Sequence, residues 1–254
     1  MTGFSVSGMI PHLQDASMQE QIWMFDTLDS TNAEAKRRAL SGAFNGSVVI
    51  ANCQTAGRGR MGREFYSPKD TGIYFSMILR PQIPTQEAVQ MTAAASVAVC
   101  QAVEKVCGLS LSIKWVNDLY LDGKKVCGIL TEAVGSVIIV GIGINCNTVF
   151  EGELAEIAGS LFVSGDEMRC RLAAELVNRI SRLEEDILHQ AWLDEYKRRS
   201  MILGKKVTVL QEPGSCYLAE AIGDKGELVL LDSKGKKKVL FTGEVSIRPT
   251  FGTE

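Results

Sequence analysis

Residues 114–145 read KWVNDLYLDGKKVCGILTEAVGSVIIVGIGIN. Three apolar runs, Leu119–Leu121, Val126–Thr131 and Val137–Ile144, follow one another here with only turn residues between them. Asp122-Gly123 is a hairpin pair, because both residue types tolerate the positive φ that a two-residue turn demands. This is the spacing of a meander, so the sheet it belongs to is expected to be mixed or largely antiparallel rather than doubly wound and parallel.

Upstream, further strands are expected at Ile22–Leu28, Val48–Cys53, Ile73–Leu79 and Leu111–Trp115. Thr31 followed by Glu34 reads as a capping box opening a helix through Leu40. Ser164 and Glu167 repeat the pattern before a stripe of Met168, Leu172, Leu176, Ile180, Leu183 and Ile187. Pro84 to Cys107 is Ala-rich, has no internal Gly or Pro, and reads as a long helix backing the sheet. From about Gly204 the texture changes to short strands broken by turns, KKVTVLQ, CYLAEAI, GELVLLD, KKVLFTG and EVSIR. The expectation is an α+β domain over residues 1–203 and a small all-β barrel over 204–254.

The 254 residues are 46% hydrophobic with six prolines, enough to bury a sizeable core without disulfides or metal. A net charge of −3 provides no overall drive toward nucleic acid or anionic membrane. The longest uncharged apolar stretch, Ala93 to Cys100, is too short to span a bilayer, and the first residues lack a signal-peptide pattern. A cytoplasmic protein without membrane contact is expected. Seven cysteines, with no CxxC pair, read as reduced and structural. With only His12 and His189, most histidine chemistry is excluded. Any catalysis must then work by positioning and fixed positive charge.

Gly57 to Gly62, GRGRMG, matches G-x-G-x-x-G, but REFYSPKDTG follows in place of a helix, so the dinucleotide reading fails. What remains is a flexible loop carrying Arg58, Arg60 and Arg63, suited to phosphate or carboxylate, or else a solvated basic loop. Phe65-Tyr66 follows it directly. Lys114, Asn117 and Asp118 crowd a strand junction, where Lys114 can neutralise an oxyanion and Asp118 can bind Mg²⁺ or orient an amine; a plain turn is the alternative. Gly141 and Gly143 interrupt a strand, marking either close ligand approach or a bulge. Asp29-Ser30-Thr31-Asn32 either caps a helix or hydrogen-bonds a small polar ligand.

In order, DSTN, QTAGRGRMGREFYSP, KWVNDLYLDGKKVCGILTE and VGIGINCN resemble the motif series of biotin–protein ligases, and GEVSIR resembles the close of their C-terminal domain. The resemblance runs over nearly the whole chain from about Trp23. It implies a mixed-sheet catalytic domain, an SH3-like C-terminal barrel, and a two-step reaction through biotinyl-5′-AMP. By motif position, Ser30, Thr31, Asn32 and Gln54 are expected on biotin's ureido ring, with Gly141 and Gly143 lining its slot. Arg58, Gly59 and Arg60 are expected around the activated carboxyl and phosphate, and Arg63 and Lys125 on the ATP phosphates. Lys114 is expected on the carboxylate and reacting phosphoryl oxygens. Asp118 is expected to orient the acceptor lysine or bind Mg²⁺, and Asn145 to contact adenine, with Phe65 and Asn117 also at the nucleotide. Phe65 stands where the family commonly has Trp, and Val116 where it commonly has Pro.

The partners so implied are biotin, Mg·ATP and the biotin carboxyl carrier domain of a carboxylase, acting on a monomer or homodimer. Some relatives repress genes through an N-terminal helix-turn-helix domain. About two dozen residues before DSTN are too few for one, and no specific DNA binding is expected. A lipoate–protein ligase is the alternative inside the superfamily, although its Gly-Gly-Gly loop is replaced here by GRGRMGR. A non-catalytic binding module is the alternative outside it.

Overall fold

The chain forms two sheets. The computed structural model describes residues 3–82, 88–162 and 165–247. In chain order its elements are α1 (Val6–Met9), β1 (Ile22–Leu28), α2 (Thr31–Leu40), β2 (Val48–Gln54), β3 (Gly72–Leu79), α3 (Ala88–Cys107), β4 (Ser112–Lys114), β5 (Asp118–Leu121), β6 (Lys124–Val134) and β7 (Val137–Asn145). After them come α4 (Leu154–Ile157), α5 (Asp166–Ile180), α6 (Leu183–Leu188), α7 (Leu193–Arg199), and β8 to β12 at Lys206–Val209, Tyr217–Ile222, Leu228–Leu231, Lys237–Leu240 and Val245–Ile247.

The first sheet runs β1-β2-β3-β7-β6-β5-β4. Only β1 and β2 pair in parallel; the other pairings are antiparallel, as the meander spacing requires. At the β5–β6 turn Asp122 and Gly123 take φ of 49° and 80°, as expected of a hairpin pair. The two-residue period of a strand sends alternate side chains to opposite faces. On β3, Ile73, Phe75, Met77 and Leu79 join the main core, whereas Ile78 joins a smaller cluster under α2. Helices α3 and α5 cover the first face, and α2 partly covers the second. The many alanines of α3 let its backbone lie close to the sheet, so Met91, Val97, Val99 and Val103 are buried. Each fully buried Phe, Met or Val contributes about 1.5–3 kcal/mol. The remainder of the second face is where a ligand can enter.

Three local causes differ from the sequence reading. Helix α2 starts at Thr31, but its cap is Ser30, whose carbonyl accepts from Glu34 N at 3.0 Å. No capping box forms: the Thr31 hydroxyl lies between Gln54 and Ser76, and the Glu34 carboxylate takes Arg37 and Arg38. Helix α5 opens after Gly165 without a side-chain cap, and Ser164 lies outside the described residues. The apolar stripe predicted to run on to Ile187 is broken at Ser181-Arg182, so Leu183 and Ile187 belong to α6. Residues 84–87, where α3 was expected to start, are likewise outside the described range.

The second sheet, β11-β10-β9-β8-β12, is antiparallel, with Val207, Val209, Ala219, Ile222, Leu228, Leu230 and Val245 buried. This is the small all-β unit expected from the change of texture, and it fits the SH3-like barrel that the resemblance implies. Trp115 Nε1 donates to Gly226 O at 2.9 Å and so ties this unit to the strand junction before β5. Among the described residues no helix is long and apolar enough to cross a membrane.

Candidate active site

The cleft lies on the α2 face, and its floor is made without side chains. Gly141 pairs with Ser76 and Leu130, and Gly143 pairs with Tyr74 and Gly128, so Gly128, Gly141 and Gly143 are adjacent across β6 and β7. A β-carbon on Gly141 would stand 2.0 Å from Asn32 Oδ1, and one on Gly143 would stand 2.5 Å from the Phe65 ring. Only glycine allows Asn32 and Phe65 to lie this close to the sheet. This glycine floor, the start of α2 and the GRGRMG loop line one cleft.

One end is polar. The Ser30 hydroxyl lines the cleft and is not used to cap α2. Gln54, at the end of β2, accepts at Oε1 from Thr31 N at 2.8 Å, and Thr31 Oγ1 lies 3.1 Å from the same oxygen. Its Nε2 donates to Ser67 Oγ at 2.9 Å, and Ser67 donates on to Phe65 O at 2.8 Å. Asp29, just before the helix, is held down to about 2 by its Arg37 hydrogen bonds, so it stays ionised beside the cleft.

The other end is cationic. GRGRMG folds back on itself: Arg58 bridges to Glu64, Gly59 N donates to Arg63 O at 2.7 Å, and Phe65 N donates to Gly57 O at 3.0 Å. Met61 takes φ 54° at the tip, and no α-helix follows. Arg60 donates to Asn117 Oδ1 at 3.1 Å, and Arg63 pairs with Glu244 of the second sheet at 2.6 Å. The Arg58 side chain has no ion pair or hydrogen bond with a described residue.

The strand junction is held from several sides. Val116 O accepts from Ser96 Oγ at 3.3 Å and from Tyr196 Oη at 3.1 Å. Asn117 and Ile129 exchange Nδ2–H···O and N–H···O bonds of 2.9 and 3.0 Å. This places Asp118 in the cleft, where its carboxylate meets Lys125 Nζ at 2.7 Å. Fixed cations at one end and fixed hydrogen-bonding groups at the other suit an elongated ligand with a neutral polar head and an anionic tail.

A family model described as the biotin/lipoate A/B protein ligase family matches residues 24–148. Over 241 residues the chain is 34% identical to the bifunctional ligase/repressor of Bacillus subtilis, a match covering 89% of this chain and 74% of that protein. The chain belongs to the biotin/lipoate protein ligase family. Another member, the biotin–[acetyl-CoA-carboxylase] ligase of Mycobacterium tuberculosis, is 33% identical over 230 residues, covering 85% of each chain. The fold agrees as well. The biotin protein ligase from Aquifex aeolicus in complex with biotin and ATP superposes with a TM-score of 0.78 at 28% identity, over 90% of this chain and 99% of that one.

Against the family's motif positions, the cleft brings together Ser30, Thr31, Asn32, Gln54, Arg58, Gly59, Arg60, Arg63, Phe65, Asn117, Asp118, Lys125, Gly141 and Gly143. Two expected residues are not among those lining it. Lys114 lies on β4 with its Nζ 5.9 Å from the Tyr120 ring, and burial pushes its ammonium pKa below the ordinary value. Asn145, at the end of β7, donates from Nδ2 to Gly159 O at 3.0 Å while its buried Oδ1 has no described partner. Lys125, expected on the ATP phosphates, lines the cleft beside Asp118, and Lys114 pairs with Asp118 across β4 and β5.

The structure adds residues that the sequence reading passed over. Gly128 carried the same signal as Gly141 and Gly143, a glycine inside the apolar run VCGIL. Ser76, a polar residue at a fully buried position of β3, carried a weaker one. Glu244 carried none, because only the placement of the second sheet brings it to Arg63.

Proposed function

We propose that this protein is an ATP-dependent biotin–protein ligase, and that the polar end of the cleft takes biotin's ureido ring while the cationic end takes its carboxylate and the nucleotide phosphates. The observation that carries the reading is the single cleft joining Ser30, Thr31, Asn32 and Gln54 to Arg58, Arg60 and Lys125 across a floor of three glycines. In the first step a biotin carboxylate oxygen bonds to the α-phosphorus of Mg·ATP. The bond to the bridging oxygen breaks, and pyrophosphate leaves with the electron pair. In the second, the ε-amine of an acceptor lysine attacks the acyl carbon and loses a proton as the acyl–oxygen bond breaks and AMP departs.

Neither step needs a nucleophile from the protein, which accords with only two histidines and with a cleft lined by no cysteine. Arg58 and Arg60 hold the oxygens of the reacting mixed anhydride, and Lys125 exchanges Asp118 for the carboxylate or the α-phosphate. Asp118, released in that exchange, is placed to orient the incoming amine. Mg²⁺ enters with ATP as part of the substrate. Among the described residues no cluster of three His, Cys, Asp or Glu side chains could hold a metal ion, and the Asp118 carboxylate already carries a cation.

The polar end favours biotin over lipoate. A dithiolane ring has no N–H or carbonyl, so lipoate would leave the groups around Gln54 and Asn32 desolvated and unpaired, a mismatch that costs about 10⁴–10⁵ in discrimination at sites built for hydrogen bonding. The acceptor proposed is the carrier domain of a biotin-dependent carboxylase. Residues 3–21 form α1 and two 3-10 turns, and Asn178 of α5 fixes them by bonds to His12 O and Gln14 N.

The test is incubation with Mg·ATP and either biotin or lipoate, following pyrophosphate release and label transfer to a carrier domain. Biotin-dependent release and transfer are expected. Transfer of lipoate but not biotin would overturn the reading.

A further inference from the structure

Behind Thr31 and Asn32 lies a second layer of polar groups that the reaction does not touch. Ser76 is fully buried, and its Oγ lies 2.6 Å from Asn32 Oδ1 and 2.8 Å from Thr31 Oγ1. Asn32 Nδ2 donates to Glu132 Oε2 at 2.8 Å and to Leu130 O at 3.2 Å. Glu132 also takes the Lys36 ammonium, so one carboxylate grips two residues a turn apart on α2.

Hydrogen-bonding capacity makes this arrangement directional. A carboxamide oxygen only accepts, so the Ser76 hydroxyl proton must point to Asn32 Oδ1. Both Nδ2 protons of Asn32 are spent on Glu132 and Leu130 O. Turning the amide over would set its oxygen against a carboxylate and a carbonyl, two acceptors, and strand its nitrogen against Gly141. Asn32 therefore presents only an oxygen lone pair to the cleft. The Ser76–Thr31 contact must then use the Thr31 proton, which frees one lone pair on Gln54 Oε1, since Thr31 N still occupies the other. The result is two acceptors facing one ligand.

We propose that Ser76 and Glu132 are positioning residues that fix the hydrogen-bond polarity of the ligand-head end, holding Asn32 and, through Thr31, Gln54 as acceptors for ligand N–H groups. With biotin as the ligand, as in the function proposed above, these acceptors read the two N–H groups of its ureido ring. Neither residue touches the ligand or the reacting atoms. Their effect is on recognition of the head and not on the chemical step.

The test uses Ser76→Ala, Glu132→Ala and Glu132→Gln in the full chain, with steady-state constants for biotin and for ATP and the inhibition constant of lipoate. Removing either holder is expected to raise KM for biotin roughly 10-fold, the scale of one lost hydrogen bond. The kcat, the KM for ATP and lipoate inhibition should stay within about twofold, because none of them reads the N–H pattern. Glu132→Gln should recover most of the loss, since its carboxamide oxygen can take the same Asn32 proton. Were Ser76→Ala to fold poorly, the Glu132 pair, at a partly exposed site, still decides the matter.

An unchanged KM for biotin in Glu132→Ala would overturn the proposal. So would equal losses for biotin, ATP and lipoate, which mark a merely structural role. A wild-type protein that binds and activates lipoate in preference to biotin would instead overturn the ligase reading on which the ureido assignment rests.

Discussion

Two lysines stand beside Asp118 at the cationic end of the cleft, and replacing each tests what it contributes at the reacting oxygens. Lys125 lines the cleft with Nζ 2.7 Å from Asp118, and Lys114 pairs with Asp118 across β4 and β5. A charge-assisted hydrogen bond to a ligand oxygen contributes about 1.5–3 kcal/mol. At about 1.4 kcal/mol per factor of ten, Lys125→Met should slow biotin-dependent pyrophosphate release roughly 10- to 140-fold. The loss has a second source, because Asp118 then faces an incoming carboxylate with its charge uncompensated. Adding Asp118→Asn to Lys125→Met should therefore restore part of the rate, a non-additivity expected of paired groups. Lys114 lies within electrostatic reach of Asp118, Lys125, Glu244 and Arg63, so Lys114→Ala should also slow the step, by about tenfold or more. Single-turnover pyrophosphate release with saturating Mg·ATP measures all four proteins on one scale. A rate within about threefold of wild type in either single variant would refute that lysine's place at the reacting oxygens.

Gly143→Ala puts a β-carbon 2.5 Å from the Phe65 ring, and overpacking of this kind costs about 1–3 kcal/mol, so Tm should fall by ~2–12 °C. The same substitution in a Phe65→Ala background should cost much less, and equal costs in calorimetry would contradict the contact. Arg58→Ala should let biotinyl-5′-AMP escape before transfer, seen as free adenylate in a trapping assay; full retention would remove Arg58 from the anhydride. Asp29 is held at about 2 against an ordinary 3.8, so its pair with Arg37 stabilises the fold fully above pH 3.8 and loses its effect as pH falls toward 2. The stability gap between wild type and Asp29→Asn should accordingly shrink between pH 4 and 2 in acid unfolding, and a gap that widens there would reverse the sign. Burial pushes the Cys100 and Cys146 thiols up to about 12 and that of Cys127 well above its ordinary range, while Cys216 is exposed. Iodoacetamide near neutral pH should label Cys216 first, and mass spectrometry showing any of the three modified as fast would contradict their burial.

The order of strands along the chain was legible because its causes are local. Asp122-Gly123 made a hairpin, and two-residue periods in IYFSMIL and VIIVGIGIN committed one face of each strand to the core. The glycines of β7 were visible as breaks in an apolar run, and the failed Rossmann context of GRGRMG was visible in the turn residues behind it. Causes at a distance were not. Helix α2 begins at the expected residue, yet Thr31 is drawn to Gln54 and Ser76, and Glu34 to arginines, because long-range partners outcompete a local cap. Lys114 and Lys125 come to Asp118 from β4 and β6 only through the pairing of β4, β5 and β6. Glu244 reaches Arg63, and Glu132 reaches Asn32, only because two sheets and a helix are packed in one particular way. Residue types and their local spacing thus determined what chemistry this chain carries and in what order its elements run. Which side chains face one another, and which hydrogen-bond polarity they present to a ligand, was decided by tertiary packing, because contacts across a sheet join residues whose separation along the chain leaves no mark on either one's neighbours.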